Sequence, residues 1–199
     1  MKRFLVGKRI SLHSLTEADI APNAPYYSWL EDLSLDVYTE RSAFPNSPKR
    51  MEAYFRRSQD NSDLILLGIF DNETGLHIGN ITFQEISWVR KRAFMGYLLG
   101  NQSFAGKGVV TDAAFMMMYY GFTKLNFERI YGSVSEKHVA SRFICRKVGL
   151  LEEGRMREHF YSNGKPADLI MVGALRREWM AEYASQAVAV FEQPLWPSE

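Results

Sequence analysis

Gly96-Tyr97-Leu98-Leu99-Gly100-Asn101-Gln102-Ser103-Phe104-Ala105-Gly106-Lys107-Gly108-Val109-Val110-Thr111 joins an extended apolar stretch to a helix through a loop with two closely spaced glycines. Upstream, Ala93 to Leu99 reads as a strand. Downstream, Val109 to Leu125 carries Ala113, Ala114, Met116, Met117 and Tyr120 with no internal proline, and reads as a helix whose methionines fill the core. A helix N-terminus presents unpaired backbone N–H groups and partial positive charge, and glycine lets the backbone approach an anion closely. Ser103 to Gly108 is therefore expected to hold phosphate, with Lys107 adding a charge at the rim. Two nucleotide-binding patterns do not fit. A Walker loop needs Ser or Thr directly after Gly-Lys, and Gly106-Lys107 is followed by Gly108. The dinucleotide fingerprint needs three glycines. Gly-x-Gly alone is equally an ordinary strand–helix turn, so its neighbours decide.

Outward from the loop, Leu64 to Phe70 is a compact apolar run and Ile78 to Trp88 a second strand, separated by turn chemistry at Asp71 to Gly75. With Ala93 to Leu99 they make an antiparallel meander. Earlier, Ile10 and Leu12 mark a short strand and Thr16 opens an acidic helix start. Tyr26 to Leu35 has amphipathic helical spacing, and Lys49 to Ser58 predicts another helix after Pro45 and Pro48. Later, Arg129 to Val134 is a strand, Val139 to Val148 a helix stopped by Gly149, and Arg155 to Tyr161 with Leu169 to Leu175 a hairpin through Ser162-Asn163-Gly164-Lys165. Gly121, inside a helix, implies close packing. After Trp179 the pattern fades. The expectation is one domain over residues 1–180 with a tail over 181–199. The fold class is α/β (mixed α+β): a mixed, mostly antiparallel sheet with helices on its faces.

The chain has 199 residues, 46% hydrophobic and 24% charged, with net charge +1. That is a globular balance. No charge block suggests a nucleic-acid surface. Cys145 is the only cysteine, which excludes an intrachain disulfide and a cysteine zinc site; it reads as a buried core thiol. No stretch approaches the ~20 apolar residues of a membrane span, and Met1 to Arg9 lacks the apolar run of a secretory signal. A cytoplasmic monomer or homodimer, with no metal, is expected.

The order of these elements and several local sequences resemble the GNAT superfamily of acetyl-coenzyme A-dependent N-acetyltransferases, in its RimJ/RimL-type branch, over residues 8–179. The pieces are Tyr27-Ser28-Trp29-Leu30-Glu31-Asp32, Ile78-Gly79-Asn80-Ile81-Thr82, Gly96-Tyr97-Leu98-Leu99, Gly106-Lys107-Gly108 with Thr111-Asp112-Ala113, and Val139-Ala140-Ser141 through Lys147-Val148-Gly149-Leu150. The resemblance implies acetyl-CoA as co-substrate. It also implies a bulge in the fourth strand (93–99) that splays it from the fifth (129–134), with pantetheine in the gap. Two departures stand out. Ser103 occupies a place the family usually gives to Gln or Arg, with Gln102 one residue early. His138 stands where the family often has an Asn that contacts pantetheine. The loop should therefore grip phosphate through the amides of Ala105 to Val109.

The implied reaction is direct attack of a neutral amine on the thioester. It needs a base, a polarised carbonyl and a proton for the leaving thiolate. The resemblance places the polarising N–H near Leu98 or Leu99. The thiolate acid falls to Ser141, otherwise a helix-packing serine. Glu85 is the candidate base, otherwise a surface strand carboxylate; His138 and His159 are alternatives. The expected cofactor contacts are Leu98, Leu99, Phe104, Ala105, Gly106, Lys107, Gly108, Val109, His138 and Ser141. Trp29, Tyr38, Glu85 and Tyr161 are expected around the acceptor, with Glu158 near Tyr161. The acceptor reads as a small amine such as a nucleotide-linked amino sugar. A protein N-terminus, served by Glu31, Asp32, Asp36 and Glu40, is the rival, and an acyl-CoA-binding module without turnover is the reading of another class.

Overall fold

The computed structural model describes residues 3–35, 45–60, 62–162 and 164–195. The meander forms as Ile65–Asp71 (β3), His77–Ser87 (β4) and Arg92–Leu99 (β5). Arg3–Val6 (β1) and Ile10–Ser14 (β2) extend it on one side. Arg129–Ser135 (β6), Leu151–Ser162 (β7) and Lys165–Leu175 (β8) extend it on the other, in the order β1-β2-β3-β4-β5-β6-β8-β7. β1 was not anticipated: four residues with two exposed give too short a pattern to read. All neighbours are antiparallel except β5 and β6. A parallel pair needs a crossover, and Val109–Thr123 (α3) supplies it.

β5 and β6 pair only at Arg92, Ala93 and Phe94 against Arg129, Ile130 and Tyr131. Beyond Phe94, β5 keeps only β4, and beyond Tyr131, β6 keeps only β8. A wedge opens between them. The bulge, expected in the strand over 93–99, lies instead in β4. Gln84 faces Phe94 and Ser87 faces Arg92, so β4 carries one extra residue there. Glu85 sits at that bulge with φ 53°, the left-handed region that accommodates an extra residue in a ladder. The splay therefore comes from the end of β5–β6 pairing rather than from a distortion of β5.

The two faces of the sheet follow from strand alternation. Leu67 and Ile69 pack with α3 and with Val139–Lys147 (α4), while Leu66 and Phe70 pack under Pro25–Trp29 (α1) and Pro48–Asp60 (α2). α3 is buried nearly all round, as its apolar composition requires. Met116, Met117 and Met118 are wholly buried, and a methyl group on Gly121 would meet Phe83 Cζ at 2.8 Å. Gly149 (φ 78°) ends α4, its N–H bonded to the Arg146 carbonyl while the Leu150 N–H reaches Cys145.

Two expectations are corrected. The helix foreseen over 26–35 stops at Trp29, because the Asp32 carboxylate binds the Ser34 N–H and hydroxyl at 2.8 and 2.6 Å and sets a turn. The segment taken as a tail is structured. Arg176–Glu182 (α5) and Ala184–Val190 (α6) follow β8, Ala187 and Phe191 are buried in the main core, and Phe191 bridges to Gly7. Its apolar residues are too few to show a period, yet they complete the packing of α3.

Candidate active site

A cavity of about 800 Å³ fills the wedge, with β5 as one wall and α4 as the other. The glycine loop closes one end. Leu98, Leu99, Phe104, Ala105, Gly106, Gly108 and Val109 line it from the β5–α3 side, and His138 and Ser141 from α4. Tyr97 and Gln102 line it as well.

The loop is built from short turns. Asn101 Oδ1 accepts from the Ser103 N–H and hydroxyl at 3.1 and 2.8 Å, so Ser103 faces its own turn. Gln102, on the cavity wall, donates its side-chain amide to the Leu99 carbonyl at 2.7 Å. The Ala105 and Lys107 N–H groups are spent on the carbonyls of Gln102 and Phe104. That narrows the expected Ala105–Val109 cradle. The amides left for an anion are those of Gly106 and Gly108, together with the first-turn N–H groups of α3 at Val109, Val110 and Thr111. Gly106 and Gly108 have φ 74° and 77°, and a side chain on Gly106 would meet no atom within 4 Å. Such bare backbone at a helix N-terminus fits a pyrophosphate.

Arg9 was not foreseen. It donates to the Lys107 carbonyl at 2.8 Å and to Asp112 Oδ2 at 2.8 and 2.7 Å. It ties the loop to α3 and offsets the Asp112 carboxylate in the first turn of that helix. Its partners lie about a hundred residues away in sequence, so no local pattern marks it. Lys107 does not line the cavity; its ammonium lies 4.8 Å from the Phe104 ring centroid.

On β5, amides alternate between the two neighbouring strands. The Gly100 N–H bonds to Ile78 of β4. Leu98 therefore also points its amide at β4, and the Tyr97 and Leu99 amides point into the wedge. Of the two polarising amides expected, Leu99 has the required direction and Leu98 does not, and Tyr97 joins it.

On α4, His138 is the N-cap, its Nδ1 accepting from the Ser141 N–H at 3.4 Å. Burial holds its pKa below the ordinary histidine value, consistent with a ring nitrogen kept as acceptor. The Ser141 and Tyr97 hydroxyl oxygens stand 2.6 Å apart. Burial pushes the Tyr97 phenol far above its usual range and raises the Cys145 thiol beside it. No tyrosine was available within α4 itself; the phenol arrives from β5, on the face that alternation shares with Met95 and Leu99.

The remaining candidates lie elsewhere. Glu85 is off the cavity wall and accepts from the Tyr131 hydroxyl at 3.0 Å. Tyr131 faces Phe94 at the last β5–β6 pair, so Glu85 marks the closed end of the wedge. Burial, then this bond, raises the Tyr131 phenol. Trp29 does not line the cavity; it covers Gly100 and stands edge-on to His77 with ring centroids 5.0 Å apart. Tyr161 is 69% exposed on β7, and His159 and Glu158 are exposed near it. These three are not brought to the cavity. Tyr38, Asp36 and Glu40 lie outside the described residues; Ser34 and Leu35, just before them, line the cavity mouth.

The acetyltransferase (GNAT) domain family matches residues 9–151. A putative ribosomal N-acetyltransferase of Bacillus subtilis, YdaF, is 33% identical over 104 residues, 52% of this chain and 56% of that protein. The spermidine N(1)-acetyltransferase of Escherichia coli (strain K12) is 29% identical over 132 residues, 66% of this chain and 69% of that protein. The chain thus spans little more than half of the first relative. Among solved structures, the spermidine N-acetyltransferase of Vibrio cholerae, in complex with CoA and spermine, superposes with a TM-score of 0.78 at 19% identity over 86% of this chain and 98% of that one, a likeness of fold. The splayed sheet, the glycine loop at the start of α3 and the extent of the family match lead to one assignment: the chain belongs to the acetyltransferase (GNAT) domain family.

Proposed function

We propose that the chain moves the acetyl group of acetyl-CoA to a primary amine on a small cationic acceptor, by direct attack of the amine. The wedge cavity carries this reading, because one cavity joins the glycine loop to a pair of hydroxyls. Acetyl-CoA supplies an activated acetyl thioester. The amides of Gly106, Gly108 and the first turn of α3 hold the pyrophosphate. The wedge-facing amides of Tyr97 and Leu99 polarise the carbonyl. The Ser141 hydroxyl faces the leaving sulfur. Glu85, off the cavity wall but bonded to Tyr131 at the closed end of the wedge, is the base in this reading.

A cationic acceptor is favoured by the carboxylates of Glu31 and Asp32, exposed on the turn that leads to Ser34 and Leu35 at the mouth. Hydrogen bonds from Ser34 hold the Asp32 carboxyl below its usual range, so it stays charged. The likeness to spermidine acetyltransferases agrees with this choice. A nucleotide-linked amino sugar is the second reading. It draws on Arg92 and Arg129, whose guanidinium carbons lie 5.6 and 5.9 Å from the Tyr131 ring centroid. Arg129 is already paired with Glu153, which leaves less charge for a diphosphate.

The test is release of free thiol from acetyl-CoA with spermidine, nucleotide amino sugars and N-terminal peptides side by side. Fast release with spermidine alone supports the cationic acceptor. Release only with peptides returns the protein N-terminus, and binding of acetyl-CoA without release for any amine returns the binding module. Glu85→Gln should lower kcat by about 100-fold and move the pH–rate profile; an unmoved profile removes Glu85 as the base.

A further inference from the structure

We propose that Tyr97 is a positioning residue for acetyl transfer: its phenol donates to Ser141 Oγ and so turns the Ser141 hydrogen toward the thioester sulfur in the wedge. This rests on the reading above that sets Ser141 beside that sulfur.

Three observations carry it. The two oxygens are 2.6 Å apart, at the short end for paired hydroxyls, and join residues 44 positions apart. A serine inside a helix ordinarily returns its hydroxyl to a carbonyl one turn back. The Ser141 hydroxyl instead pairs with the Tyr97 hydroxyl across the cavity, with the Cys145 thiol beside both. Both side chains also line the same cavity from opposite walls, β5 and α4.

The direction of the bond follows from acidity. Burial raises the Tyr97 phenol, but the serine hydroxyl beside it shares the same setting, so the ordinary order of acidity, with a phenol at about 10 below an alkyl hydroxyl, assigns the shared hydrogen to Tyr97. Ser141 is then the acceptor from Tyr97, and its own hydrogen is shared between the Cys145 thiol beside it and the wedge. The helix fixes the other side of Ser141, whose N–H is held by His138. Two O–H groups in series polarise each other, so the outer one becomes the stronger donor. During transfer the amine nitrogen bonds to the carbonyl carbon, the C–S bond breaks, and its electron pair goes to sulfur. Nitrogen gives up one proton and sulfur gains one. The Tyr97–Ser141 pair supports the growing negative charge by hydrogen bonding and ends the turnover with its own protons in place. Because burial raises the phenol's pKa, Tyr97 remains protonated as the pH rises.

The experiment compares Tyr97→Phe, Ser141→Ala and the double variant, using the amine turned over fastest, at a temperature well below each melting midpoint. Tyr97→Phe keeps the ring and removes only the hydroxyl. It should lower kcat by about tenfold, the worth of one hydrogen bond, while KM for acetyl-CoA changes less than about twofold. The double variant should be no slower than Ser141→Ala, because Tyr97 acts through that hydroxyl. A wild-type kcat for Tyr97→Phe beside a slow Ser141→Ala overturns the inference alone, as do losses that multiply in the double variant. A wild-type kcat for Ser141→Ala overturns the placement of Ser141, and the inference with it.

Discussion

At the scale of single residues, the site combines one local contact, the His138 cap, with one between remote residues, Tyr97 and Ser141. His138 takes over a cap usually given to Asn, Asp or Ser, and does so with a ring nitrogen. His138→Ala should cost about 1 kcal/mol in a denaturant melt, and His138→Asn should recover most of it. An equal loss in both variants would mean that the ring is held by packing and that the cap is incidental. The family resemblance pointed to position 138; the capping geometry needed the structure. Ser141 was legible as a hydroxyl on the right helix. Tyr97, its partner, was not singled out, because strand alternation gives the face of Tyr97 but not what packs against it.

At the scale of elements, the β5–loop–α3 unit was readable locally. Two glycines in left-handed backbone, a strand before and an apolar helix after are all short-range features. A side chain at Gly106 has room but must adopt φ 74°. Gly106→Ala should therefore destabilise the protein by about 1–2 kcal/mol, lower the melting midpoint by roughly 2–8 °C and raise KM for acetyl-CoA by about tenfold. Unchanged steady-state KM would show that the loop reshapes freely and that its glycines serve only the turn. The bulge shows where local reading fails. Glu85 has no turn signature, and only the pairing of β4 with β5 reveals the extra residue. Likewise the turn at Asp32–Ser34 outcompeted an amphipathic pattern that promised a longer helix.

At the scale of the whole molecule, the last described segment and the buried histidines set stability. α6 packs on α3, and Phe191 is 3% exposed. Ending the chain at Glu182 should lower stability by several kcal/mol, since burying one large side chain contributes about 1.5–3 kcal/mol; an unchanged melting midpoint would return residues 183–195 to the status of a tail. His13 and His77 stack on opposite faces of Phe70. Burial, as the largest cause, lowers the pKa of both, and of His138. A base whose folded pKa is lowered favours folding fully above its unfolded value, about 6.5, and that contribution is lost as pH falls through the folded values. Thermal midpoints should be level above pH 7 and decline from about pH 6.5 to pH 5; a midpoint that stays level through this range would contradict the three lowered values. The meander, the glycine turn from β5 into α3, the close packing at Gly121 and the stop at Gly149 were readable from short stretches, since turn chemistry, alternation and glycine freedom act over a few residues. The wedge between β5 and β6, the Arg9 tie, the Tyr97–Ser141 pair and the docking of α6 were not readable in this way, because each joins segments whose approach depends on how the whole sheet and its helices pack.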